Sequence, residues 1–348
     1  MDVTMRALAE AYEQLAAGEA VCRPRIDISI PTKDPRKTYR WGSMEGGSTS
    51  GYFAIRMKSD IIYQAERRGV RTEEKYCVRP GKFCGLILLF DIHNAEPLAV
   101  INDGLLQHMR VGADSGIGVK YMARKDAQVV GMIGSGGMAR SHLEAFSLVR
   151  DIKRVQVYSP TRANREAYAR DMAEKFGVEA VPVATPEAAH RGADIVAGCT
   201  DSVDPVIFGE RLAKGSHITC IGGKLDAEAL NRIDISLRFG NSPAPCGRPE
   251  YGCDDEYLTY AVAPNNRKHR SPKRGRGAIA GDRSILLGDF LKDPTKGRTS
   301  AQQITFSERG SIQGAQFFAV AGRVYELAKA KGIGSEFPTD LLLQDIRN

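Results

Sequence analysis

A chain of 348 residues exceeds what one ordinary hydrophobic core organises, so two domains are expected. With 42% apolar and 26% charged residues the composition is that of a folded enzyme rather than a disordered chain, and no apolar run approaches the roughly eighteen residues that cross a bilayer. The net charge is +7, and the seven cysteines lack Cys-x-x-Cys spacing, which argues against a metal centre and a disulfide framework.

Residues 1–18 read as an amphipathic helix. Their acidic residues and the missing apolar stretch are unlike a signal peptide, so a cytoplasmic protein is expected. Residues 51–62 alternate as a strand, with Phe53, Ile55 and Met57 on one face and Arg56, Lys58 and Asp60 on the other. Strands at 85–91 and 97–102, joined by a turn around His93 to Glu96, complete an antiparallel or mixed sheet. Asp103-Gly104 ends it, and 105–124 reads as a helix. From Ala127 the pattern changes to an apolar strand (128–133), a glycine-rich turn, a helix (138–149), a strand (155–158) and a helix (162–176). A short strand (180–183), a short helix (186–191) and strands at 195–199 and 217–221 follow. Alternation at this spacing predicts a doubly wound parallel sheet of Rossmann type, so the fold class is α/β with a second, mixed-sheet domain. Beyond Gly240 come prolines and a basic run at 265–276. With no aromatic interleaving, that run reads as a solvated loop and not as a nucleic-acid-binding element. A long helix over 312–331 closes the chain. The boundaries predicted are 125–315 for the dinucleotide domain, and 1–124 with 316–348 for the other.

The turn Gly134-Ser135-Gly136-Gly137-Met138-Ala139 follows an apolar strand and opens a helix, the context that gives Gly-x-Gly-x-x-Gly/Ala its meaning. Gly134 permits the tight turn, Gly136 lets a diphosphate approach the backbone, and Ala139 lets helix and strand pack. A nicotinamide dinucleotide is therefore the expected cofactor. At the end of the next strand stand Ser159, Pro160, Thr161 and Arg162, with Arg165 close behind. Hydroxyls and guanidinium groups replace the carboxylate that NAD sites usually place there, which favours NADP(H) with NAD(H) second.

Beyond this turn the chain resembles the ornithine cyclodeaminase and mu-crystallin family. The resemblance rests on 97–104 with the arginine-bearing helix after it, on 121–127 before the glycine turn, on Gly192 to Val196, on Cys199-Thr200-Asp201-Ser202, and on Ile221-Gly222-Gly223. It implies a homodimer built through the first domain's sheet, and a small amino or imino acid as substrate. It also implies that Cys199, Thr200, Ile221 and Gly222 lie on the nicotinamide side. By position Arg110 resembles the family's helix arginine, Lys58 its strand lysine, and Arg25 its N-terminal arginine, with Arg23 close enough to compete. The three are expected to bind the substrate carboxylate, Arg110 as a two-pronged fork, with Lys58 also serving as proton donor to an imine. Two positions depart from the resemblance. Lys224 follows Gly222-Gly223 where the cyclodeaminases carry an aspartate, the nearest carboxylate being Asp226, and Gly310-Ser311-Ile312-Gln313-Gly314-Ala315-Gln316 stands where the family often carries an acidic residue. The first departure favours an imino-acid reductase or amino-acid dehydrogenase over a cyclodeaminase lyase that recycles its cofactor. A non-catalytic nucleotide-binding protein is the third alternative.

Overall fold

A computed structural model describes residues 1–67, 69–240, 252–253, 257–261, 279 and 281–346. The basic run at 265–276 lies outside the described residues. The chain opens with α1 (Asp2–Ala17), ended by Gly18 in the left-handed conformation that glycine adopts without strain. The first sheet then takes β1 (Ala20–Cys22), β2 (Arg25–Pro31), β3 (Lys37–Ser48), β4 (Tyr52–Arg67), β5 (Val70–Tyr76), β6 (Cys84–Asp91) and β7 (Pro97–Asn102). Helix α2 (Gly104–Met122) leads into the second sheet. This sheet is built from β8 (Val129–Ile133), α3 (Gly137–Val149), β9 (Arg154–Tyr158), α4 (Arg162–Phe176), β10 (Glu179–Pro182), α5 (Pro186–His190) and β11 (Ile195–Gly198). The chain continues through β12 (Pro205–Ile207), β13 (His217–Cys220), β14 (Lys224–Leu225), α6 (Ala227–Arg232) and β15 (Ile235–Arg238). Then come β16 (Gly252–Cys253), β17 (Tyr257–Ala261), β18 (Ser284–Leu286), α7 (Leu287–Lys292), β19 (Thr305–Glu308) and α8 (Gln313–Ala330).

The second sheet is parallel throughout, in the order β10-β9-β8-β11-β13-β19-β15-β18, while β12 and β14 form a separate pair. Strand order reverses between β8 and β11, the topological switch point where open α/β sheets bind ligands. The first sheet has nine strands, antiparallel except where β17 runs parallel to β2. Part of the stretch expected as one unit over 125–315 also contacts the first sheet and its core. Strands β16 and β17 extend the first sheet, and Leu287 and Phe290 of α7 join the core around α1. No glycine or helical period in the sequence marks that return. Among the described residues no helix is long and apolar enough to cross a membrane.

The inner face of the first sheet mixes buried apolar residues, among them Ala54, Ile87 and Leu89, with a row of buried polar and charged ones. In β2 the buried side chains are Asp27 and Ser29, while Ile28 and Ile30 are exposed. Across the strands, Asp27, Gly42, Lys58 and Gly85 lie in register on the inner face. Ile26, Ser43, Met57 and Leu86 form the matching outer row. The face of β4 carrying Arg56, Lys58 and Asp60 thus points into the molecule, and the Phe53, Ile55 and Met57 face points away. Helix α8 returns from the far end of the chain to cover β3 and β4. A Cβ at Gly314 would overlap the Glu45 carbonyl, so only glycine permits the approach. Helix α2 is buried from Arg110 to Val119. Gly112 meets the Ser141 backbone of α3, and Gly118 meets Ser307 of β19, which leaves no space for a methyl at either.

Candidate active site

The glycine turn sits at the switch point. Gly134 has φ 115°, and its missing Cβ makes room for the Cys199 carbonyl at the end of β11. Nothing lies within 4 Å of where a Cβ on Gly136 would be. This open space faces the first turn of α3, whose N-cap is Gly136 with no side-chain cap. The first amides of a helix have no intrahelical acceptor, so the turn has the donors and the open space to hold an anion. Ala139 is fully buried, and its carbonyl accepts from the Tyr168 hydroxyl at 3.2 Å. Met138 packs at the edge of the same core. On the far side, Thr200 Oγ1 accepts from the Ser202 amide at 3.2 Å, and Gly222 packs on the Thr200 carbonyl with no room for a side chain. The Ile221 amide donates to Gly198 at 2.9 Å. Cys199 is buried, which pushes its thiol well up and leaves it inert.

At the end of β9 the hydroxyls of Ser135 and Ser159 are bonded at 3.0 Å, and Arg165 donates to the Ser159 carbonyl at 2.9 Å. Thr161 is the N-cap of α4 and makes no side-chain cap bond. Arg162 is 79% exposed and pairs with Glu166 at 2.6 Å, on the surface rather than in the cradle. Asp226 caps α6, accepting from the Ala229 amide at 2.7 Å and the Gly209 amide at 2.9 Å. Its carboxylate is thereby committed to holding a helix.

The inner face of the first sheet gathers the charges. Arg25 binds Asp27 at 2.8 Å and Lys58 binds Asp60 at 3.0 Å, while Arg40 pairs with Glu73 of β5 at 3.3 Å. Arg56 holds Asp103, at the start of α2, at 2.5 Å; Gly85 is the space into which that carboxylate fits. Asp27 and Lys58 are packed over Gly42, where a Cβ would come 2.5 Å from the Asp27 carboxylate and 2.8 Å from Lys58 Cε. Burial raises the Asp27 pKa, but Arg25, Lys58 and Arg40 outweigh it and hold the carboxyl below its usual range. Burial, then the charge of Arg25, pulls the Lys58 ammonium down to about 7 against the pull of Asp27 and Asp60. Arg23 instead pairs with Glu45 at 2.6 Å, so Arg25 is the arginine that adjoins Lys58.

Arg110 is 2% exposed. One guanidinium nitrogen donates to Gln316 of α8 at 2.5 Å, another to Gln107 at 2.8 Å, and the plane lies 4.8 Å from the Phe317 ring. Its Nε has no hydrogen-bond partner among the described residues. Burial, reinforced by Arg309 and Arg56, disfavours its charge. Gln316 also donates to Tyr12 at 2.7 Å and to Asp114 at 2.9 Å, and Asp114 lies 3.8 Å from Arg309. Arg56, Asp103, Gln107, Gln316 and His108 were not identified as site residues from sequence. Arg56 carried a signal, since it shares a strand face with Lys58.

Strand β5 crosses to the second sheet. Thr72 pairs with Ser202, the Glu73 amide donates to Asp201 at 3.3 Å, and Val203 donates to Arg71 at 3.1 Å. Arg71 also binds Asp204 through Nε at 3.1 Å. The loop that follows β11 is thus strapped to the sheet that carries the cations.

The profile of the ornithine cyclodeaminase/mu-crystallin family matches residues 75–332. The chain belongs to this family. Among its members, a Delta(1)-pyrroline-2-carboxylate reductase of Bacillus cereus is 38% identical over 259 residues, 72% of this chain and 73% of that protein. The same reductase from a second Bacillus cereus strain is 39% identical over 138 residues, and there the chain spans 42% of the relative's length and 40% of its own. The fold is shared with the solved Delta(1)-pyrroline-2-carboxylate reductase of Thermococcus litoralis in complex with NADH and L-proline. That TM-score is 0.72, at 22% identity over 96% of this chain and 95% of that one. It is shared equally with an archaeal alanine dehydrogenase dimer with bound NAD, at TM-score 0.72 and 25% identity over 97% and 94%. The family match takes in the glycine turn, Arg110 and Gln316 but begins inside β5, so Arg25 and Lys58 fall outside it.

Proposed function

We propose that this chain is a nicotinamide-dependent reductase of a small α-imino acid, working in reverse as an amino-acid dehydrogenase. The observation that carries this reading is Arg110, a buried guanidinium met by two neutral amides and an aromatic ring, with its Nε left without a partner among the described residues. A buried cation is tolerated when an anion completes it, and an α-imino acid brings a carboxylate next to the carbon to be reduced. Arg110 takes that carboxylate and so sets the distance and face of attack. Arg25 adjoins the same inner face and assists. Lys58, with an ammonium that releases its proton near neutrality, donates to the imine nitrogen as it becomes an amine. The dinucleotide, when bound, supplies the hydride.

The cradle around Gly136 fits a diphosphate. Ser135, Ser159 and Thr161 stand at the end of β9 with no carboxylate among them, and Arg162 begins the next helix, paired on the surface with Glu166; this residue set supports NADP(H) over NAD(H). Its test is a fluorescence titration, in which Arg162→Ala weakens NADPH about ten-fold and leaves NADH unchanged. The chain divides at about residue 124 into a substrate-binding, dimerising unit, completed by α8, and a dinucleotide unit. The apolar outer face of the first sheet supports a homodimer through that face, and Cys22, Cys77, Cys84 and Cys199, which form no disulfide, support a reducing, cytoplasmic setting.

Cofactor absorbance is the direct test. Delta(1)-pyrroline-2-carboxylate, or pyruvate with ammonia, is expected to drive net NADPH oxidation. Ammonia release from ornithine with no net change in cofactor would instead identify a lyase, whose aspartate is replaced here by Lys224. Binding without turnover of any amino or imino acid would leave only a nucleotide-binding protein.

A further inference from the structure

The dinucleotide fingerprint assigns tasks to Gly134, Gly136 and Ala139 but none to Gly137. Nevertheless a side chain at 137 has no room. A Cβ there would lie 2.6 Å from Cε1, 2.8 Å from Nδ1 and 3.0 Å from Nε2 of His108. The imidazole of α2, two residues before Arg110, therefore rests on the first residue of α3. It is half-buried, and neither ring nitrogen has a hydrogen-bond partner among the described residues.

The turn from Gly134 to Ala139 contains no cation. The nearest arginine along α3, Arg140, is paired with Asp171 at 2.8 Å and lies over the Tyr168 ring. Taken alone, the cradle would meet a doubly charged diphosphate with neutral amides. We propose that His108 is a cofactor ligand lent by the substrate-side helix, its imidazole donating a hydrogen bond to the diphosphate seated on the first turn of α3. This rests on the reading of the glycine turn as a dinucleotide site. The charged groups that face His108 are Asp103, at the start of its own helix, and Lys75, from β5. They act in opposite directions, while burial, the largest influence, holds the ring neutral below the usual histidine range. An arriving dianion favours the protonated ring, so binding takes up protons and tightens as pH falls. Because His108 and Arg110 share one helical turn, a docked diphosphate also fixes the backbone that presents the carboxylate fork, which orders binding as cofactor first.

The experiment is a calorimetric titration of the full-length apoprotein with NADPH and with NADH at about pH 6 and about pH 8. Wild type is expected to bind more tightly at the lower pH with net proton uptake. His108→Gln, which keeps a polar group of similar reach, is expected to weaken binding about ten-fold or more at the lower pH and to abolish the pH dependence. An unchanged thermal midpoint for His108→Gln separates this from a packing defect, since loss of packing alone leaves the pH slope in place. Wild-type affinity and wild-type slope in both His108→Gln and His108→Ala would overturn the assignment while the cofactor reading stands. If wild type binds neither dinucleotide, both fall.

Discussion

Arg110 and Lys58 face opposite electrostatic problems. Arg110 keeps its charge because guanidinium is hard to deprotonate, and it stores the cost of burial until an anion arrives. Arg110→Ala should leave NADPH affinity intact and lower kcat/KM about a hundred-fold. Arg110→Lys should recover little, because one ammonium does not reproduce the planar fork held by Gln316 and Gln107. Steady-state kinetics beside a cofactor titration checks both. Lys58 releases its proton at about 7 against 10.5 in a free lysine. The donor form is therefore full below about 7 and lost above it, so reductive kcat/KM should fall as pH rises through that value. Lys58→Met should remove the limb. Stability moves the other way. Between about 7 and 10.5 the unfolded chain holds a proton that the folded one has shed, so wild type gains stability as pH rises there. Chemical denaturation across that window should find the gain absent in Lys58→Met. The sequence singled out Arg25, Lys58 and Arg110 as candidates through a resemblance of motifs. Gln316 was not singled out within the departing segment 310–316, because its partner Arg110 lies 206 residues away.

Helix α2 shows what local pattern reveals and what it hides. Its span was readable from the Asp-Gly start and the apolar period, as were β8, α3, β9 and α4, which repeat one strand-turn-helix grammar. Strands β3 and β5 were not, since a sheet with a polar row turned inward inverts the rule that alternation reports. Arg56, Lys58 and Asp60 look like a solvated face until the chain above them is known. Close packing of α2 depends on its glycines. At Gly118 an added methyl overlaps the Ser307 hydroxyl, which is also hydrogen-bonded to the buried His217 at 3.2 Å. Gly118→Ala should cost about 1–3 kcal/mol through overpacking. The midpoint of urea unfolding measures it, and an unchanged midpoint would show that β19 yields freely.

For the whole molecule, the outward apolar face of the first sheet is the feature that most needs a partner. Ile28 is 38% and Val100 67% exposed, beside Ile30, Leu86 and Tyr260. Placing a charge there, as in Ile28→Glu with Val100→Glu, should convert a dimer to a monomer in sedimentation velocity while far-ultraviolet dichroism stays unchanged. A wild-type monomer would remove the proposed interface. The chain's return through β17 to β2 escaped the sequence because strand pairing across more than two hundred residues leaves no local trace. The strap of β5 across the loop after β11 has a kinetic consequence. On the proposed dinucleotide reading, a cofactor beside Thr200 and Ser202 is expected to leave as the Glu73 and Val203 amides release their carbonyls, which would make departure a small local unfolding event rather than simple diffusion. Added salt loosens the exposed Arg71–Asp204 pair and leaves the amide bonds alone. Nucleotide off-rates in stopped flow should therefore rise with ionic strength, and that rise should vanish in Arg71→Gln, whose release is already unlatched.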